Sequence, residues 1–73
     1  MVDTVAATIR VNGEDEPLTA ATIAALLATR DISPELKGVA VARNGSVVPR
    51  GEWSTAPIAA GDVIEIVVAR QGG

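Results

Sequence analysis

The chain has 73 residues, of which 48% are apolar, with a net charge of −3, a single aromatic residue, and neither Cys nor His. That is one small domain with an aliphatic core, burying roughly 60% of the surface its unfolded chain exposes and leaving little room for an enclosed active-site cavity. The composition excludes disulfides, thiolate nucleophiles, imidazole bases and the usual zinc sites; it offers no basic patch or stacking platform for nucleic acid, and its longest apolar stretch, around Ile23–Ala28, is too short to span a bilayer.

The N-terminus, Met1 to Thr4, lacks the basic start of a signal peptide, so a cytoplasmic location is expected. Residues 4–11 alternate, with Val5, Ala7, Ile9 and Val11 on one face, which is the period of a half-buried strand. Asn12-Gly13 then signals a hairpin turn. The acidic run Glu14-Asp15-Glu16 falls at that tip or just after it, as a solvated loop or as a docking feature. Glu16-Pro17-Leu18 reads as a short edge strand, where proline is tolerated.

Thr19 is the expected N-cap of a helix of about three turns over AATIAALLATR. Ile23, Leu26 and Leu27 form its apolar stripe, expected to face the core, and Arg30 falls near the C-terminal turn, where a cation complements the dipole. Pro34 is expected to end the helix by disfavouring helical backbone at Ser33. Residues 38–43 read as a third strand, Asn44-Gly45 as a second hairpin turn, and Ser46 to Pro49 as a short fourth strand. Residues 50–61 form an irregular loop around Trp53, and Gly61-Asp62 turns the chain into a final strand over 63–69. That strand is nearly all apolar, so it is expected at the centre of the sheet with both faces partly covered. The patterning alone places the chain in the α+β class, with the order ββ-α-ββ-β and a mixed sheet of four to five strands packed on one helix.

The most reactive-looking element is the Gly72-Gly73 terminus. Two readings stand: a loose end, or a presented carboxylate. Glycine has no Cβ, so such an end can thread a narrow channel, and its carboxylate is ionised at neutral pH. A carboxylate can attack the α-phosphorus of ATP when a partner enzyme positions the two, and the resulting mixed anhydride is open to a sulfur nucleophile. Residues 70–73 reach roughly 13 Å past the last strand if extended. Without cysteine, a sulfur carried by this chain has its only plausible attachment point at the C-terminal carbonyl.

A second constellation runs from Asn44 through Val48-Pro49-Arg50 and Trp53 to Gly61-Asp62, the terminal apolar strand and the terminal Gly-Gly. With these elements in this order, the chain resembles the ThiS family of thiamine-biosynthesis sulfur carriers over its whole length. The resemblance implies a ubiquitin-like β-grasp domain over residues 1–69 and a tail over 70–73. It implies that Gly73 is adenylated with ATP by an activating enzyme of the ubiquitin E1 type (ThiF-like). A thiocarboxylate then forms with sulfur from a cysteine-derived persulfide, such as that of a cysteine desulfurase. It is donated to a ThiG-like thiazole synthase. The chain itself is then a co-substrate with no turnover site and no bound cofactor, and Gly72 and Gly73 are the residues that match the functional pair.

Arg50 and Trp53 have two readings: a structural pair, with the ring capping the core, or part of a partner-docking surface. Outward Val63 and Val67, together with Ala6, form a second docking candidate on the open face of the sheet, and Arg70 reads either as a guide for the tail or as a simple solvated charge. The rival readings are a molybdopterin-type carrier, a ubiquitin-like modifier and a non-catalytic interaction module. Molybdopterin-type carriers tend to have prolines before the tail, where this chain has Val68-Ala69-Arg70-Gln71.

Overall fold

The computed structural model describes residues 7–69. Its elements are β1 (Thr8–Val11), β2 (Glu14–Pro17), α1 (Ile23–Ala28), β3 (Val39–Arg43), β4 (Ser46–Val47) and β5 (Val63–Val68), with a 3₁₀ turn over Arg50–Glu52. The five strands form one mixed sheet in the order β2-β1-β5-β3-β4. β1 and β5 are parallel, and the other three pairings are antiparallel. One helix packed across a mixed sheet with its last strand at the centre is the expected β-grasp arrangement.

Both hairpins turn on Asn-Gly. Asn12 and Asn44 each sit at φ 52°, followed by Gly13 and Gly45 at 86° and 85°, the positive-φ pair that a type I′ turn requires. The acidic run differs from expectation: Glu14, Asp15 and Glu16 are in β2 itself rather than in a loop. The two-residue turn leaves no room for them outside the ladder, where Glu14 pairs with Val11. Three carboxylates and a proline on an edge strand discourage pairing with another chain.

The helix is shorter than its apolar pattern suggests. Its N-cap is Thr22, whose hydroxyl accepts the Ala25 N–H at 3.2 Å. Thr19 is not the cap, because the chain up to Thr22 runs extended against the loop that follows the 3₁₀ turn. Ile58 N–H donates to Ala21 O, and Thr22 bridges Pro57. That loop also accepts the first free donors of the helix, Ile23 N–H on Ala56 O and Ala24 N–H on Trp53 O. At the other end, Asp31 takes φ 58°, its N–H donating to Ala28 O and the Ile32 N–H to Leu27 O. This is the Schellman arrangement, with Asp31 in the position glycine usually fills. The helix therefore stops before Pro34 acts on it. Arg30 lies beyond the last turn, where its guanidinium pairs with Glu16 of β2 and ties the helix end to the sheet edge.

The expected stripe is the core. Ile23, Leu26 and Leu27 meet Ile9 and Val11 of β1, Val41 of β3, and Ile64 and Ile66 of β5, with Ala20, Trp53 and Ile58 closing the edge. Burying a side chain such as Ile23, Leu27 or Ile64 stabilises the fold by up to about 1.5–3 kcal/mol. β5 is central, as its composition suggests, but among the described residues one face only is covered. Ile64 and Ile66 are buried while Val63, Glu65 and Val67 face solvent. With a single helix to supply the second layer, nothing among the described residues covers the opposite face.

Candidate functional site

Everything that could present the C-terminus converges on β5. At its start, Asp62 is buried and each of its oxygens is engaged. Oδ1 accepts from Asn44 Nδ2 at 3.0 Å; Oδ2 accepts from the Ala59 N–H at 2.8 Å and from Arg43 Nε at 2.9 Å. The Ala59 N–H, followed by the Asn44 and Arg43 contacts, holds its carboxyl below the ordinary carboxylate range against the opposing effect of burial. The Asn44 side-chain Oδ1 accepts the Val63 N–H at 2.9 Å, and the Asn44 backbone N–H donates to Val63 O. Asp62 is a structural lock, with both carboxylate oxygens engaged in holding the start of β5. Gly61-Asp62 reads from sequence only as a turn, and nothing local identifies its partners, which come from β3 and the second hairpin.

Midway along β5, Asn12 extends the β1 ladder past the end of β1. Its Oδ1 accepts the Ile66 N–H at 2.8 Å, and its Nδ2 donates to Ile66 O at 3.2 Å. Both hairpin asparagines thus shape a turn and hold the last strand, the second role being invisible in the Asn-Gly signal. At the far end, the Ala69 N–H donates to Gly38 O at 2.8 Å. Arg70, Gly72 and Gly73, like Ala6 and Val5, lie outside the described residues.

Val63 and Val67 are on the open face, 43% and 60% exposed. Ala40 lies opposite Val67, and Ala42 separates Glu65 from Val47, which is 75% exposed. The open face therefore carries a small apolar strip across three strands, interrupted by Glu65, with the Arg10–Asp15 ion pair at its margin. A strip of this kind can seat a partner.

Of the two readings of Trp53, the structure supports the structural one and not the docking one. Trp53 is 2% exposed, packed in the core with its Nε1–H donating to Val48 O at 2.9 Å, so no partner can reach the ring. Arg50 stacks over that ring with its guanidinium carbon 4.5 Å from the centroid. It also donates to Pro34 O, and to Leu36 O at 2.8 Å. Arg50 thereby braces the loop that delivers Gly38 to the end of β5. The Val-Pro-Arg-x-x-Trp segment is a buckle between the core and the exit of the chain.

Among the described residues, no cluster of three acidic, His or Cys side chains could hold a metal ion, and no helix is long and apolar enough to cross a membrane. An open cleft of about 360 Å³ lies beside β4, lined by Arg43, Val47, Glu52 and Thr55, where the Thr55 hydroxyl donates to the Glu52 backbone carbonyl at 3.3 Å.

The ThiS family model matches residues 5–73, the whole domain and the terminal Gly-Gly. The chain belongs to the ThiS family. It is 40% identical over 63 residues to the sulfur carrier protein ThiS of Thermus thermophilus, covering 86% of this chain and 95% of that one. Its fold is similar to the crystal structure of the thiamine biosynthesis protein ThiS from Geobacter metallireducens, with a TM-score of 0.72 and 25% identity over 90% of this chain and 99% of that one. The solution structure of a thiamine biosynthesis protein from the same organism matches with the same TM-score and identity, covering 87% of its length.

Proposed function

We propose that this ThiS-family chain is a sulfur carrier for thiamine biosynthesis, loaded at the Gly73 carboxylate and acted on by partner enzymes rather than catalysing turnover itself. The observation that carries the reading is the family match running through to the terminal Gly-Gly, joined to a domain whose buried carboxylate, Asp62, is spent on holding the fold.

The chemistry follows from that one group. The Gly73 carboxylate attacks the α-phosphorus of ATP held by an E1-like, ThiF-type adenylyltransferase; pyrophosphate leaves and an acyl-adenylate remains. The terminal sulfur of a cysteine-derived persulfide, supplied by an enzyme such as a cysteine desulfurase, displaces AMP to give an acyl disulfide; a second thiol then attacks the persulfide's cysteine sulfur, forming a disulfide with it and releasing the thiocarboxylate. A ThiG-like thiazole synthase takes that sulfur into the thiazole ring. ATP is bound by the partner, and the work is placed in the cytoplasm with these enzymes. The β-grasp globule remains outside the partner's pocket, with Val63 and Val67 of the open face docking against it, while Gly72 lets the end pass through a channel too narrow for side chains. Arg70 guides the tail toward an acidic cleft.

Intact mass of the protein after incubation with the activating enzyme, ATP and a sulfur source tests the reading. A shift matching one oxygen replaced by sulfur is expected, and it disappears when one residue is added after Gly73. An adduct to a lysine of another protein would identify a modifier instead, and an unchanged mass would overturn the carrier reading. Rescue of a thiamine-requiring strain, and not of a molybdopterin-deficient one, separates the two carrier branches.

A further inference from the structure

Gly38 is the residue against which the chain leaves the sheet. It sits at φ 82°, and a Cβ built on it would lie 3.1 Å from Ala69 O and 3.3 Å from Ala69 Cβ. Its carbonyl accepts the Ala69 N–H at 2.8 Å, next to the Val39–Val68 pair that ends the β3–β5 ladder. Gly13, Gly45 and Gly61 share nearly the same backbone angle, at 86°, 85° and 85°, yet a Cβ on any of them meets nothing within 4 Å. Turn geometry therefore accounts for those three glycines. At Gly38 a second constraint applies: the atoms that would have to yield are the backbone and Cβ of Ala69, with no long flexible side chain to swing aside. Arg50 braces the loop on the other side through Pro34 O and Leu36 O, so Gly38 cannot simply retreat.

We propose that Gly38 is a positioning residue for carrier activation, setting the direction in which the chain leaves β5 toward its reactive end. The proposal rests on the sulfur-carrier reading. When the globule is docked and the terminus is seated in a partner's channel, both ends of the connecting segment are fixed, and its direction at Ala69 must match the channel. A rotation of about 10° there carries the far end of four extended residues, about 13 Å away, through about 2 Å. Misplacing a reacting group by 1 Å can cost on the order of 100-fold in rate. A Cβ at Gly38 leaves the open face of the sheet unchanged, so it affects the seating of the terminus without affecting docking.

The test is steady-state ATP–pyrophosphate exchange by the activating enzyme, with the carrier as varied substrate, well below the melting temperature of each variant. Gly38→Ala is expected to lower kcat by about tenfold or more with KM for the carrier little changed. Gly45→Ala, which imposes the same backbone strain with an unobstructed Cβ, is expected to leave both constants within about twofold of the wild type despite a similar loss of stability. Gly38→Asn, a residue more tolerant of positive φ but carrying the same Cβ, must show the same fall in kcat, and it serves if Gly38→Ala does not fold. Equal kinetics for the Gly38 and Gly45 variants would overturn the positioning role while leaving the carrier reading standing. Absence of exchange with the wild-type protein would overturn the carrier reading, and this proposal with it.

Discussion

Asp62, at the start of β5, receives an amide N–H from Ala59, a side-chain amide from Asn44 and a guanidinium from Arg43, whereas Ala69, just past its end, is tied to the sheet through one N–H on Gly38. One end of the strand is locked by a carboxylate that holds one backbone N–H and two side chains, and the other is shaped by a backbone contact and the lack of a Cβ. The difference separates two duties of a small carrier. Side-chain hydrogen bonds gather where the strand begins, and under the proposed function the end handed to partner enzymes is directed by shape.

Breaking the core beneath the strand is expected to have the largest effect on stability. Ile64→Ala, at a fully buried position, should cost about 3–4 kcal/mol by chemical denaturation, a large share of the stability of a domain this size. Asp62→Ala leaves the Ala59 N–H, Asn44 and Arg43 without their acceptor and should cost about 2 kcal/mol. Asn44→Ala, which removes two side-chain bonds at the same end, should cost about 1 kcal/mol.

The lock also has a pH signature. The folded-state pKa of Asp62 lies below its unfolded value, so its contribution is fully present above the ordinary carboxylate pKa of ~3.9 and is lost as pH falls through the lower folded value. Denaturant midpoints should therefore drop below about pH 4 in the wild type, and part of that drop should vanish in Asp62→Asn. At the small end of the scale, Val67→Ser on the open face should change stability by no more than about 0.5 kcal/mol. The same variant should raise the KM for the activating enzyme. An unchanged KM would remove Val67 from the docking surface.

Much of this molecule was legible from local pattern. Alternation around Ile9 and Val11 and again around Ile64 and Ile66, the Ile23-Leu26-Leu27 stripe, and the two Asn-Gly turns are each properties of a few consecutive residues, and each appears as read. The Gly72-Gly73 pair is visible in the sequence as residue types, and it lies outside the described residues.

What the tertiary structure alone decided are matters of long-range pairing. The helix is capped at Thr22, where Ala56 and Trp53 supply acceptors for its first donors, and it ends at Ala28, ahead of Asp31, where a non-glycine residue takes a left-handed conformation. Trp53 is interior because Val48 O and the Arg50 guanidinium close over it. Asp62 is a lock because β3 and the second hairpin bring it donors, and Gly38 matters because Ala69 returns to lie against it. A residue's own propensities set its backbone preference and its hydrophobic period. They carry no record of which distant atoms will approach within hydrogen-bond or van der Waals range once the sheet has closed.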